Sequence, residues 1–423
     1  MCSRVEKNLI DFRNTGKDFF RPQSALRFFV FGICTLAYIL LGRVYGFYRK
    51  ALFHRRPANI RRLMVFGFGG IGNHLMLTPA LLRLKETDPA RSVHLAVGSP
   101  VCGELFQSDP NVDSLSVLNA TKCRTLKEFM KTGFALRKLS PDFVMAASGI
   151  NPLAGGIISL ISGAKIRVGE DWHGRGFLYT HKIQVDSKVF EAVQNLKLAN
   201  LLDGVPIEPV PPIMLKLTAV EIAEAQRWLA DSSIPTGATV VGMHPGSGPE
   251  QKWKRWDTHN FVRLARQLAQ TQRVITIFFV GPDECELVNE LKSSNDGSSR
   301  IYQGQGSIRK TAARIAGCDL FLSNDSGLRQ IAVALGVRTF GIFGPTGIRK
   351  NFMAAKQHTA IFRKNVHCRP CHYTRWRLAC GEQRPCLKHI SVDQVYKAMA
   401  PHLNRAGSSP DAVAAVNHPK QLL

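Results

Sequence analysis

Leu320-Phe321-Leu322-Ser323 reads as a buried strand, and it runs straight into Asn324-Asp325-Ser326-Gly327 and an apolar helical run. A second strand, Thr339 to Phe343, then ends in Gly344-Pro345-Thr346. A strand, a helix and another strand in so short a stretch constrain the fold to a parallel, doubly wound α/β arrangement. Both strands end in residues that open helices, so two helix N-termini can meet one anion. Their unpaired N–H groups and the positive end of the macrodipole favour a phosphate or diphosphate without a metal. The plainer reading is that Asn324, Asp325 and Ser326 cap a helix and Gly344-Pro345-Thr346 turns the chain.

The same alternation fills the rest of the chain. Strands are expected at Leu63 to Phe66, Val93 to Val97, Ser114 to Leu118 and Phe143 to Ala147, with helices around Leu75 to Lys85 and Leu126 to Lys138. Asp203-Gly204-Val205-Pro206 and the prolines at 209, 211 and 212 break the pattern. It restarts with strands at Val240 to Met243 and Val274 to Val280 and helices at Asn260 to Ala269 and Ile308 to Ala316. The expected organisation is an N-terminal tail and apolar helix over 1–60, two α/β domains over 61–206 and 207–403, and a disordered tail over 404–423. Ligands of such domains bind at the carboxyl ends of the strands.

A formal charge of +25, from 56 Lys and Arg against 31 Asp and Glu, is spread along the chain without a dominant basic block. Anionic lipid head groups, lipopolysaccharide and nucleotide diphosphates all match it. Nucleic acid is not the expected partner, because the chain has neither an RNP-like aromatic motif nor a two-cysteine, two-histidine finger. Phe28 to Gly42 is an uncharged, mostly apolar run that continues weakly to Tyr48 and is followed by a basic flank. It reads as a membrane anchor or interfacial helix with that flank on the cytoplasmic side, or as a buried core helix. Cys368, Cys371, Cys380 and Cys386 gather four of the ten cysteines. They have the number and one pair spacing of a structural zinc site; disulfides and packed free thiols are the alternatives.

Gly67-Phe68-Gly69-Gly70-Ile71-Gly72 fits the glycine pattern of a dinucleotide fold, but the next strand ends Val97-Gly98-Ser99-Pro100 without the acid that holds a ribose. Taken together, Gly69-Gly70-Ile71-Gly72 with Leu77-Thr78-Pro79-Ala80-Leu81, His244-Pro245-Gly246-Ser247 with Lys254-Arg255-Trp256, Asn324-Asp325-Ser326-Gly327 and Phe343-Gly344-Pro345-Thr346 resemble glycosyltransferase family 9, the lipopolysaccharide heptosyltransferases. The resemblance spans about Arg61 to Met399. It implies a GT-B fold of two Rossmann-like domains facing a central cleft, with the acceptor on the N-terminal domain and a nucleotide-diphosphate sugar, typically ADP-heptose, on the C-terminal one. It also implies inverting transfer with no cofactor for catalysis, to a lipid-linked or lipopolysaccharide-core acceptor at the cytoplasmic face of the inner membrane.

On that reading Gly246, Ser247, Lys254, Arg255, Asn324, Asp325, Ser326, Gly327, Gly344 and Thr346 bind the donor, and Gly70 and Gly72 the acceptor. Ser326, Gly327 and Thr346 face phosphate, Lys254 and Arg255 offset the departing diphosphate, and Asp325 accepts hydrogen bonds from sugar hydroxyls or from its own helix. One departure stands out. The family usually has aspartate, the presumed base, after Gly72, and this chain has Asn73, whose amide takes no proton at neutral pH. His74, or Asp171 in an expected polar loop with Glu170 and His173, are the alternative bases. Arg329-Gln330 also stands where the family often has histidine. A catalytically degenerate protein that binds nucleotide sugar or glycolipid as a regulator or scaffold is the competing reading, and a sugar-nucleotide epimerase a third.

Overall fold

Apolar runs too short for long helices and flanked by glycine and proline become strands, the inner ones buried on both faces, and in each half six strands pair in parallel. The computed structural model describes residues 40, 42–44 and 59–405, except 119–125, 203, 233, 236, 272, 295, 372–379 and 381–382. The chain forms two units, one running to Pro211 and one from Pro212, with residues 104–109 grouped with the second.

The first unit holds β1 (Arg62–Gly67), β2 (Ser92–Val97), β3 (Ser114–Val117), β4 (Phe143–Ala146), β5 (Ile166–Asp171) and β6 (His181–Gln184), ordered β3-β2-β1-β4-β5-β6. Its helices are α1 (Ile71–Leu75), α2 (Thr78–Thr87), α3 (Pro100–Leu105), α4 (Leu126–Arg137), α5 (Pro152–Ile161) and α6 (Glu191–Asn200). Met64, Phe66, Val144, Ala146, Ile158 and Tyr179 pack a core beneath this sheet. The order reverses between β1 and β4, whose register pairs Phe66 with Ala146. The glycine loop 67–72 therefore leaves the carboxyl edge at the switch point, where open α/β sheets bind ligands.

The second unit repeats the plan with β7 (Thr239–His244), β8 (Val274–Val280), β9 (Ser299–Gln303), β10 (Leu320–Asn324), β11 (Arg338–Ile342) and β12 (His358–Ile361), ordered β12-β11-β10-β7-β8-β9. Its helices are α7 (Ala219–Asp231), α8 (Thr258–Ala269), α9 (Cys285–Ser294), α10 (Ile308–Ala316), α11 (Gly327–Ala334), α12 (Ile348–Asn351), α13 (Pro385–Lys388) and α14 (Val392–Met399). Trp256, Phe261, Phe278, Leu322 and Phe340 belong to one buried cluster, which α14 closes with Val395 and Met399. The switch point lies between β7 and β10, where Ser323 pairs with His244. Strand ends at His244 and Asn324 thus sit side by side.

Glu170 and Asp171 are not in a polar loop, as expected, but end the fully buried strand β5. Strand formation there is tolerated because each carboxylate finds donors once the sheet is built. The two units divide after Pro211. Among the described residues no helix is long and apolar enough to cross a membrane. The apolar run 28–48 lies outside them except for Leu40 and Gly42 to Val44, and so does the tail from residue 406. Residues 404 and 405 complete the turn Ala400–Arg405.

Candidate functional site

In the second unit, side chains from the ends of three strands build one polar cluster. Asn324 is fully buried and acts as a cross-link: its Nδ2 donates to the carbonyls of Pro245 (2.7 Å) and Gly246 (3.2 Å), and its Oδ1 accepts from the backbone of Trp256 at 2.9 Å. Its side-chain amide is thus engaged in holding two loops together. Trp256 is buried with its indole N–H on the Ile390 carbonyl at 2.9 Å, so it packs rather than stacks on a base. Ser326 caps α11, accepting from the Arg329 N–H at 3.4 Å, and touches Ser323 Oγ at 2.8 Å.

Asp325 is the centre of charge. It is 7% exposed, with Lys254 Nζ at 3.8 Å, Arg329 Nη2 at 3.4 Å and Asn351 Nδ2 at 3.2 Å. The Arg329 side chain is fully buried over the Phe343 ring, 5.0 Å from its centroid. Burial lowers its pKa, and Asp325 only partly offsets this. Arg329 Nη2 and Gln330 Nε2 both donate to the Asn351 carbonyl at 2.8 Å, which ties the end of α12 to α11. Among the described residues Arg329 Nε and Nη1, Gln330 Oε1 and Thr346 Oγ1 are buried without partners. Two cations against one carboxylate, a helix N-terminus and an unpartnered hydroxyl suit an anion with further hydrogen-bonding groups.

The loop after β7 is braced separately. Glu284 accepts from the Ser247 N–H (3.1 Å) and from Arg255 (3.0 Å), and Arg255 also donates to Ser247 Oγ at 3.0 Å. A Cβ at Gly246 would meet the Glu284 carboxylate, so any side chain there has to displace the group that braces the loop. Arg255 and Ser247 therefore shape the loop, and Lys254 is the cation of that pair that faces Asp325. Gly344 lies against Leu387, 2.5 Å from where a Cβ would stand, and accepts from Arg369 Nε at 2.5 Å.

In the first unit the glycine loop is held by side chains from elsewhere. Asn73 is exposed; its Oδ1 accepts from the Gly70 N–H at 3.2 Å, and its Nδ2 donates to Glu191 Oε1 at 2.5 Å. A Cβ at Gly69 would lie 2.5 Å from Asn73, so the loop closes on this amide. Gly70 and Gly72 flank it without side chains. His74 is buried, with Nδ1 3.0 Å from the Gly70 carbonyl and Nε2 3.0 Å from that of Gly67. Only a doubly protonated ring donates to both. Burial opposes that charge, but the Cys102 thiol and the two carbonyls outweigh it and raise the pKa. Both ring nitrogens of His74 are thus engaged by backbone carbonyls, and neither is placed as an open base. Asp171 pairs with Lys182 Nζ at 2.6 Å and accepts from the Gly176 N–H at 2.9 Å, and Glu170 accepts from Ser148 Oγ (2.7 Å) and the Gly149 N–H (2.9 Å). Neither is placed as an open base.

The four clustered cysteines do approach one another. Burial and then the thiols of Cys368, Cys386 and Cys380 push Cys371 up to about 11, and Cys368 hydrogen-bonds to it. Yet among the described residues no three His, Cys, Asp or Glu side chains converge as a metal site. What the segment does is brace the Gly344 turn, with the Cys371 N–H on the Pro345 carbonyl at 3.1 Å.

Sequence reading missed Glu191, Glu284, Arg329 as the partner of Asp325, and Asn351. Glu191 is 118 positions from Asn73, so no local signal joins them. Arg329 is the exception: it stands four residues after Asp325, a spacing visible in the sequence.

The family model described as glycosyltransferase family 9 (heptosyltransferase) matches residues 131–380. A lipooligosaccharide heptosyltransferase 2 of Campylobacter jejuni is 29% identical over 166 residues, 38% of this chain and 51% of that protein. The chain spans about half the length of the curated relatives it matches first. The Escherichia coli structure described as ADP-heptose lps heptosyltransferase II has a TM-score of 0.64 at 18% identity, covering 81% of this chain and 98% of that one. A glycosyl transferase family 9 structure from Veillonella parvula has a TM-score of 0.68 at 20% identity, covering 82% and 98%. These structures share the GT-B-like α/β fold. With more than half of its length matched by the family model and the glycine loop and Asp325 cluster at the two switch points, this chain belongs to glycosyltransferase family 9, the heptosyltransferases.

Proposed function

We propose that the protein transfers a sugar from a nucleotide-diphosphate donor to a lipid-linked or lipopolysaccharide-core acceptor, with heptose from ADP-heptose as the first donor to try. The observation that carries this reading is the Asp325 cluster. Lys254 and Arg329 outweigh the one carboxylate, and Thr346 Oγ1 is buried with no protein partner among the described residues. That combination fits a leaving diphosphate, whose developing charge the two cations and the α11 N-terminus stabilise. Asp325, held by three donors, orients sugar hydroxyls through its remaining acceptor capacity. The transfer is inverting and needs no catalytic metal in this reading, since the cations of the chain take the place of one. The acceptor lies over the glycine loop, and the work is done at the cytoplasmic face of the inner membrane.

The test is isothermal titration of the protein with ADP-, GDP-, UDP- and CDP-sugars in the presence of a chelator. Selective micromolar binding that Asp325→Ala abolishes is the expected result; a folded protein that binds none of them refutes the donor site. Asn73 favours one other reading, a protein that binds donor but has lost its base and serves as a regulator or scaffold. That reading predicts donor binding without transfer.

A further inference from the structure

The carboxylate absent at position 73 has a neighbour. Glu191, the first residue of α6, is 1% exposed, and its Oε1 receives the Asn73 amide at 2.5 Å. One turn on, Asn195 is fully buried and fixes the same helix face. Its Nδ2 donates to the Met76 carbonyl at 3.1 Å and its Oδ1 accepts from the Ser148 N–H at 2.8 Å. Residues i and i+4 share a helix face, so α6 presents Glu191 to the glycine loop on a mount tied to both ends of the loop's surroundings. Of the other candidates in this unit, His74 has both ring nitrogens against backbone carbonyls, Asp171 is paired with Lys182, and Glu170 accepts from Ser148 and Gly149.

We propose that Glu191 is the general base of this protein, a carboxylate supplied from α6 in place of one at position 73. The proposal rests on the transferase reading above. The acceptor hydroxyl takes the place of the Asn73 N–H on Glu191 Oε1, and Asn73 turns aside to hydrogen-bond the incoming sugar. As the hydroxyl oxygen forms its bond to the anomeric carbon, its proton passes to Glu191. The bond from that carbon to the diphosphate oxygen breaks, and the electron pair leaves with the nucleoside diphosphate. Burial beneath an exposed amide keeps water from the carboxylate until an acceptor arrives.

The pair also predicts the behaviour of Asn73→Asp. Two carboxylates within hydrogen-bonding distance resist ionising together and hold one proton between them, so this change alone brings no second base at neutral pH. The test uses the full-length protein with three variants, Glu191→Gln, Asn73→Asp and the exchange Asn73→Asp/Glu191→Gln. It measures kcat against pH, donor affinity by titration, and thermal stability as a folding control. Glu191→Gln is expected to lower kcat at least 100-fold, with donor affinity unchanged and the acid limb of the pH profile lost. The exchange variant is expected to recover to within about tenfold of wild type, since general-base catalysis is worth about 10²–10⁴-fold. Asn73→Asp alone is expected to move the acid limb to higher pH. Wild-type kcat and pH profile in Glu191→Gln would overturn the proposal. So would a wild type that binds donor but transfers nothing until Asn73→Asp is made, which leaves the donor site standing. A protein that binds no donor fails the transferase reading, and the proposal with it.

Discussion

Arg329 and Asp325 make an asymmetric pair, and mutating each in turn exposes the asymmetry. Removing one partner of a buried ion pair costs about 3–5 kcal/mol, because the other charge is left uncompensated. Asp325→Asn does this: the Arg329 side chain is 0% exposed and keeps the Asn351 carbonyl and the Phe343 ring, but no anion. Arg329→Met is milder for two reasons. Asp325 keeps Asn351 Nδ2 at 3.2 Å and Lys254 Nζ at 3.8 Å. Two guanidinium N–H groups without partners, each costing about 1–3 kcal/mol when buried, also leave with the side chain. The expected loss is about 4 kcal/mol for Asp325→Asn and about 1–2 kcal/mol for Arg329→Met, with the double variant well below their sum. Two units make a single unfolding transition a poor measure, so the assay is urea-dependent hydrogen exchange read on peptides from β10 and α11. The reasoning fails if Arg329→Met costs as much as Asp325→Asn, or if the two changes simply add.

Three further outcomes follow from the packing. Burial, then the charges of Arg329 and Arg338, lower the His358 pKa to about 4. With the folded value below the unfolded one of about 6.5, its contribution is present above pH 6.5 and lost as pH falls towards 4. Wild type should lose up to about 3 kcal/mol more than His358→Asn across that window, read as urea midpoints of the second unit. Gly344→Ala should weaken donor binding in titration, because its Cβ meets Leu387 at 2.5 Å and displaces the turn that carries Thr346. Gly169→Ala should destabilise the first unit by about 1–3 kcal/mol or more, seen as a lower melting temperature, because the new methyl falls 2.2 Å from the buried Tyr179 ring.

The inner strands of the parallel sheets were legible because they are apolar on both faces, as at Leu320 to Asn324 and Thr339 to Ile342, whereas the partly exposed edge strands β6, β9 and β12 were not named. β5 was not, since Gly169-Glu170-Asp171 looks like a loop until Ser148, Gly149, Gly176 and Lys182 arrive from other elements to pair the two acids. The site divides in the same way. Gly246 and Gly344 were assigned to the donor, and the fold makes them close approaches to Glu284 and Leu387, while Asp325 and Thr346 stood at strand ends. Asn324 was assigned to the donor although its side chain holds the loops, because a buried amide and a ligand-binding amide are identical in sequence. Glu191 and Glu284 join the loops they serve only through the fold, with Glu284 37 positions from Ser247.

The most direct measurement incubates the full-length protein with ADP-heptose and a lipopolysaccharide-core acceptor in a chelator, and follows the acceptor by mass spectrometry. The account predicts the addition of one heptosyl residue with release of ADP, abolished by Asp325→Ala. An acceptor left unchanged by folded protein that binds the nucleotide sugar would contradict it.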